Sequence, residues 1–356
     1  MRVAILTGAS KARERREALA GIADGSIDLL IGTHALIEDR VQFSNLGFVV
    51  IDEQHRFGVE QRARLWTKNE QPPHILVMTA TPIPRTLAMT LYGDLDVSVI
   101  DELPPGRQPI RTVHYTDAAR LRLFGFMRQE IKKGRQIYVV YPLIKESETM
   151  DYKDLQDGYE AISRDFPLPE YVTTICHGKM KPEDKEESMR QFKSGEANIM
   201  VATSVIEVGV DVPNATVMVI ESAERFGLSQ LHQLRGRVGR GSQQSYCILM
   251  SGEKLSKEAR LRLEAMCETN DGFRLAELDL KLRGAGDVNG TLQSGMAFDL
   301  KIANPTLDSQ ILTVTREAAA EVLTADPTLT QNGHEGLREL RKRYSGREEI
   351  DFSQIS

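Results

Sequence analysis

Cysteine is scarce in this 356-residue chain: Cys176, Cys247 and Cys267 are odd in number, far apart and form no Cys-x-x-Cys pair. That spacing argues against a disulfide framework and a cysteine-built zinc site, and it suits a reducing compartment. Long apolar runs are also missing. No stretch approaches the roughly 20 residues a membrane helix needs. The start, Met1-Arg2-Val3-Ala4-Ile5-Leu6-Thr7-Gly8, has too short an apolar core for a signal peptide. Nor is there a surplus of positive charge, since 45 Lys and Arg stand against 51 Asp and Glu, a net charge of −6. Bulk charge does not announce a nucleic-acid binder, so any such contact has to come from local basic clusters. The expectation is a soluble, cytoplasmic protein.

What the chain does have is apolar mass, 41% hydrophobic residues, and length for about two domains at roughly 150 residues each. Short Val/Ile-rich runs alternate with charged, helix-like stretches, the pattern of a parallel sheet covered by helices on both faces. In the first half the expected strands are Arg2–Leu6, Asp28–Gly32, Phe48–Asp52 and Ile75–Ala80, with a helix over Ser10–Ala23. The Pro- and Gly-rich stretch Asp101–Pro109 breaks the pattern as a linker. The alternation then restarts. Strands are expected at Arg111–Tyr115, Gln136–Tyr141, Val172–Cys176, Ala197–Ala202, Ala215–Ile220 and Ser245–Leu249. Helices are expected at Asp117–Lys133, Leu155–Asp165 and Pro182–Ser194. After about Ser251 charged helical stretches and a Gly-rich loop take over.

Four clusters carry chemistry. Phe48-Val49-Val50-Ile51-Asp52-Glu53-Gln54-His55 ends an apolar strand on two adjacent carboxylates, at the sheet edge where open α/β proteins bind ligands. Nucleotide hydrolysis needs one carboxylate for Mg²⁺ and another to orient water, which suits Asp52 and Glu53 respectively; a solvated strand end is the plain alternative. Thr79-Ala80-Thr81-Pro82 puts two hydroxyls at the same edge, with Thr81 equally suited to cap a helix. Ala202-Thr203-Ser204 through Gly209 and Asp211 leaves a third strand. Gln233-Leu234-Arg235-Gly236-Arg237-Val238-Gly239-Arg240-Gly241 spaces Arg237 and Arg240 so that a helix would project both from one face, as fingers aimed at phosphate charge; a basic surface turn is the plain alternative.

The order of these clusters resembles superfamily 2 helicases and translocases, and within them the RecG-type DNA helicases. The resemblance implies an α/β fold of two RecA-like parallel-sheet motor domains, the first incomplete, followed by a helical hairpin and a C-terminal helical tail. The corresponding boundaries are 1–106, 107–252, 253–300 and 301–356. It implies ATP and Mg²⁺ as cofactors, and an ATP hydrolase that remodels branched duplex DNA (stalled forks, Holliday junctions) in recombination and repair. Single-strand DNA-binding protein is an implied protein partner, and no membrane is. Catalytic roles fall on Asp52, Glu53, Gln54, His55, Arg237 and Arg240. Nucleotide contacts add Gly209, Asp211 and Gln233, and coupling to motion falls on Thr79 and Thr81.

Asp271–Glu277, Asp279–Gly284 and Gln293-Ser294-Gly295 resemble the translocation motif shared with the transcription-repair coupling translocase Mfd. There a hairpin, here Leu255–Asn270 and Phe273–Arg283, feeds a loop at Gly284–Gly295, whose glycines by themselves mark only a pliable surface loop. Arg283 and Gln293 are then DNA contacts; Leu292 stands where relatives often carry a basic residue. Gly178, Lys179 and Thr203 are implied backbone contacts. Thr33 is either such a contact or a helix cap, and His34 either a contact or a core histidine.

No Gly-x-x-x-x-Gly-Lys-Ser/Thr occurs in the sequence. In the resembled family that phosphate-cradling loop, and a wedge domain, lie ahead of the region matching Met1, so the chain looks like a C-terminal part. It is expected to hydrolyse ATP weakly or not at all alone, with an unstable or oligomer-prone first domain. A part of Mfd and a non-hydrolysing DNA-binding module are the competing readings.

Overall fold

The computed structural model describes residues 1–8, 10–38, 40–53, 72–79, 97–100, 102–142, 148–203, 212–283 and 309–345. The chain divides into two compact units, one of Met1–Thr81, Arg85–Val97 and Arg283–Ser356, the other of Pro82–Pro84 and Ser98–Leu282.

The first unit holds two separate parallel ribbons. Strand β1 (Val3–Leu6) pairs with β2 (Leu29–Gly32), and β3 (Phe48–Ile51) pairs with β4 (His74–Val77). Helix α1 (Ala12–Ala23) buries Ala18 and Ile22, and a small core gathers Leu6, Ile22, Ala35 and Val41. Burial of both faces, the expectation from the continuous apolar strands, does not hold for these ribbons. Val3, Ile5, Leu29 and Ile31 on one, and Phe48, Val50 and Leu76 on the other, are exposed. The alternate residues Leu6 and Ile51 are buried, as the two-residue period of a strand requires when only one face is covered.

The second unit is built on one six-stranded, all-parallel sheet. Its strands are β5 (Arg111–Thr116), β6 (Gln136–Tyr141), β7 (Thr173–Cys176), β8 (Ile199–Thr203), β9 (Ala215–Ile220) and β10 (Tyr246–Ser251), in the order β5-β10-β9-β6-β8-β7. The chain crosses first toward the β7 edge, through α2 (Arg120–Lys132) and α3 (Glu148–Asp165). It then returns through α4 (Pro182–Ser194) and α5 (Leu228–Arg235). Right-handed crossovers taken in opposite directions put the two helix pairs on opposite faces. The cores agree: Ile137, Val139, Val217 and Val219 pack with Leu123, Met127 and Ile162, while Tyr138, Val140, Met218 and Ile220 pack with Phe192, Leu231 and Leu234. Strands covered on both faces have no polar phase, which explains their unbroken apolar runs. Each fully buried aliphatic side chain contributes about 1.5–3 kcal/mol.

Local signals set several ends. Pro182 opens α4 with Glu183 and Asp184 in its first turn, and Gly195 closes it in the left-handed region at φ 82°. Helix α6 (Lys257–Glu268) starts where Ser256 Oγ accepts from the Ala259 amide at 3.1 Å. Helix α7 (Gly272–Arg283) follows it in the hairpin positions. Helix α3 begins seven residues earlier than the apolar pattern indicates, because Glu148–Asp154 offers only Met150 and Tyr152 as apolar cues. Helices α8 (Ser309–Ala325) and α9 (Glu335–Ser345) fall in the tail. No helix among the described residues is long and apolar enough to cross a membrane.

Candidate functional site

In the first unit the carboxylates stand at the C-terminal edge of β3. Ile51 is buried, Asp52 exposed and Glu53 half-buried. The Asp52 carboxylate accepts from the Glu53 amide at 2.9 Å. Glu53 sits at φ 52°, a left-handed conformation that costs a non-glycine residue about 1–2 kcal/mol and persists only where the surroundings enforce it. The parallel register pairs Ile51 with Val77, and the Met78 amide donates to Ile51 O at 2.7 Å. Thr79 therefore leaves the sheet at the edge that carries Asp52 and Glu53. Gln54, His55 and Thr81 lie outside the described residues. Thr33 is exposed and precedes a short 3₁₀ turn, His34–Leu36, whose Leu36 amide donates to Thr33 O.

Adjacent carboxylates at a strand end, Asp52 exposed and Glu53 half-buried, suit Mg²⁺, which takes one or two carboxylates and keeps several waters and phosphate oxygens. No group of three or more His, Cys, Asp or Glu able to hold a metal occurs among the described residues.

In the second unit the parallel strands deliver their C-terminal residues to one edge. Gly178 and Lys179 follow β7 and are exposed, whereas Thr203, the last residue of β8, is fully buried. Beyond β9 the chain runs through Glu221, Ser222 and a 3₁₀ turn, Ala223–Arg225, into α5. Gln233 is exposed near the end of α5. The helix stops at Arg235, so Arg237 and Arg240 do not share a helical face as their spacing suggested. Gly239 at φ 76° breaks the helical path, and a Cβ there would lie 2.9 Å from Ile110 Cγ1. Arg107 Nε holds this turn by donating to Gly239 O at 2.7 Å. Arg237 is half-buried and Arg240 exposed. Gly209, Asp211 and Gln293 lie outside the described residues, and Arg283 is the last residue of α7.

One residue of the motif has a role that spacing could not reveal. Arg235 is 2% exposed. Its guanidinium donates to Met266 O and Thr269 O, each at 2.8 Å, to Thr112 Oγ1 at 3.3 Å and to His232 Nδ1 at 3.0 Å. It thereby satisfies carbonyls at the C-terminus of α6, where positive charge is favoured. A second tie comes from α6, where Arg262 Nη2 donates to Glu224 O at 2.9 Å. The only signal for Arg235 in the sequence is its position two residues before Arg237, which does not say that it points inward.

Burial, and then the adjacent Arg235 charge, pull the His232 imidazole down to about 4. It is neutral at physiological pH and can accept from Arg235. The unfolded chain takes up this proton near pH 6.5 and the folded chain does not until about 4, so stability falls as pH drops through that window. Urea unfolding is expected to show this group contributing a loss of about 3 kcal/mol between pH 7 and pH 4. Comparing the pH dependence with that of His232→Gln isolates the contribution; an unchanged slope refutes it.

Three family models match the chain: a DEAD/DEAH box helicase domain over residues 1–90, the helicase conserved C-terminal domain over 120–242, and the C-terminal part of domain 3 of ATP-dependent DNA helicase RecG over 269–356. The ATP-dependent DNA helicase RecG of a Synechocystis species is 52% identical over 343 residues, covering 96% of this chain and 41% of the relative. The chain belongs to the RecG helicase family. The Bacillus subtilis RecG is 50% identical over 324 residues, covering 91% of this chain and 47% of that relative. A RecG structure bound to a three-way DNA junction aligns with TM-score 0.66 and 43% identity, covering 88% of this chain and 40% of that one. The chain thus spans less than half the length of these relatives. The parallel-sheet, RecA-like helicase fold with added helices is that of the RecG family.

Proposed function

We propose that these residues form part of an ATP-driven duplex DNA translocase that remodels branched DNA, stalled forks and Holliday junctions among them, in recombination and repair. The observation that carries this reading is the pairing of chemistry with sheet edge. Acidic groups end β3 in one RecA-like unit, and glycine-spaced arginines follow α5 in the other. In this reading Asp52 holds Mg²⁺ with Glu53 beside it, and the bound ion neutralises charge on the terminal phosphates of ATP. Glu53, with Gln54 and His55, orients the attacking water. Arg237 and Arg240 meet the charge that develops on the transferred phosphoryl group. Gly209, Asp211 and Gln233 contact the nucleotide.

Thr79 and Thr81 relay hydrolysis to movement. Thr33, His34, Gly178, Lys179, Arg283 and Gln293 follow the DNA, mostly along the backbone, so binding is independent of base sequence and weakens with salt; Thr203, fully buried at the end of β8, is not placed to touch it. Branched DNA as ligand is supported by the junction-bound RecG relative. Cytoplasmic location and an encounter with single-strand DNA-binding protein belong to the same proposal.

The 356 residues contain no phosphate-cradling Gly-x-x-x-x-Gly-Lys-Ser/Thr loop, whose backbone amides and lysine hold the β- and γ-phosphates. Expressed as this polypeptide, the chain is expected to bind a three-way junction and to turn over ATP only at background level with that DNA present. A DNA-stimulated phosphate-release assay beside a gel-shift titration tests both. Robust turnover refutes the dependence on the missing loop, and failure to retain any DNA refutes the nucleic-acid reading.

A further inference from the structure

The exit of β9 is held by an ion pair that none of the motif residues contributes to. Glu221 is 5% exposed, and its amide extends the sheet by donating to Val140 O at 2.8 Å. Both of its carboxylate oxygens accept from Arg120, at 2.5 Å from Nη1 and 3.0 Å from Nη2. Arg120 opens α2, a helix on the opposite sheet face from α5, and also donates to Asp117 at 2.6 Å.

The next residue, Ser222, lies at φ 47° and ψ 48°, in the left-handed region that a serine occupies only under constraint. From this turn the chain enters the Ala223–Arg225 turn, which buries Ala223 and Phe226, and then α5. Arg262 of α6 grips the same turn from the other side at Glu224 O. A cleft of about 450 Å³, lined by Arg120, Tyr141, Glu221, Ser222 and Arg225, opens beside the pair. Glu221 thus borders open space on one side, and the fork from Arg120 is the side-chain contact its carboxylate makes across it.

A buried ion pair is weak evidence of stabilisation, since well-packed apolar residues often serve as well. What a bidentate guanidinium–carboxylate pair adds is fixed direction. We infer that Arg120 and Glu221 are positioning residues: they hold the left-handed turn at Ser222 and so set where α5 delivers the Gly236–Gly241 arginine segment. This rests on the reading that Arg237 and Arg240 serve ATP hydrolysis.

Hydrogen exchange on the 356-residue chain tests the geometry. Glu221→Gln is expected to speed amide exchange about tenfold or more from Ser222 through Arg235 while β6 and β8 keep their protection. The swapped pair, Arg120→Glu with Glu221→Arg, is expected to restore it. Unchanged exchange, or a rise spread evenly over all six strands, overturns the inference. The consequence is read by joining these residues to an upstream segment carrying a phosphate-cradling loop. There Glu221→Gln should lower kcat for DNA-stimulated ATP hydrolysis at unchanged KM. If Arg237→Ala abolishes turnover and Glu221→Gln does not lower it, positioning is refuted. If Arg237→Ala is fully active, the assignment of the arginines has failed instead, and the exchange pattern still decides whether the pair holds the turn.

Discussion

Replacing Arg235 with alanine is expected to destabilise the six-stranded unit by about 3–5 kcal/mol, near the top of the range for single substitutions. Arg235 heads the largest fully buried side chains among the described residues, so its removal leaves a cavity that the surrounding strands and helices close only in part. It also strands Met266 O and Thr269 O. Hydrogen bonds to a charged donor contribute roughly 1.5–3 kcal/mol each, and buried carbonyls without partners are costly. Relief of the buried charge offsets some of this, since burial already pulls the guanidinium below its usual value. Arg235→Lys should recover only part of the loss, because a point charge on a flexible stem cannot reach two carbonyls, a hydroxyl and an imidazole at once. Calorimetry of the 356-residue chain checks this. For a unit of this size the melting temperature should fall by roughly 2–4 °C per kcal/mol, and a fall of only a degree or two refutes the capping role.

The second large effect belongs to Arg237. In a polypeptide that joins these residues to a phosphate-cradling loop, Arg237→Ala is expected to lower DNA-stimulated kcat by about 10³-fold, the lower end of what a guanidinium aimed at transferring phosphate supplies. KM for ATP should change far less, since the charge it meets develops only in the transition state. Arg237 is half-buried whereas Arg240 is exposed, so the Arg237 charge is less screened by solvent and Arg240→Ala should cost less. Lysine at 237 should rescue poorly, because it lacks the planar fork. Steady-state kinetics on the variants, with melting curves to show that each is folded, separate the outcomes. An Arg237→Ala protein with wild-type kcat removes this arginine from the chemistry.

Much of the fold could be read without coordinates. Gln136–Tyr141, Pro182–Ser194 and Ala215–Ile220 have the bounds their patterns indicate, because unbroken apolar runs and a Pro-to-Gly bracket act within a few residues. The edge that gathers Asp52, Glu53 and Thr79 follows from the same periodicity, since parallel strands of matched length end together. The ribbons of the first unit departed from the pattern: an apolar strand states that both faces can be buried, not that something covers them, and Phe48 and Val50 remain exposed.

By itself, then, the sequence determined the parallel α/β class, the order of the clusters and the strand ends from which their side chains leave, all properties set by neighbours along the chain. Tertiary structure alone decided that Arg235 turns inward while Arg240 faces solvent, that Glu53 and Ser222 accept left-handed backbone, and that Arg120 meets Glu221 from 101 residues away. Those choices depend on which helices and strands happen to meet around each residue. Local propensity is silent about that, because the partners that compensate a buried charge or a strained turn arrive from distant parts of the chain.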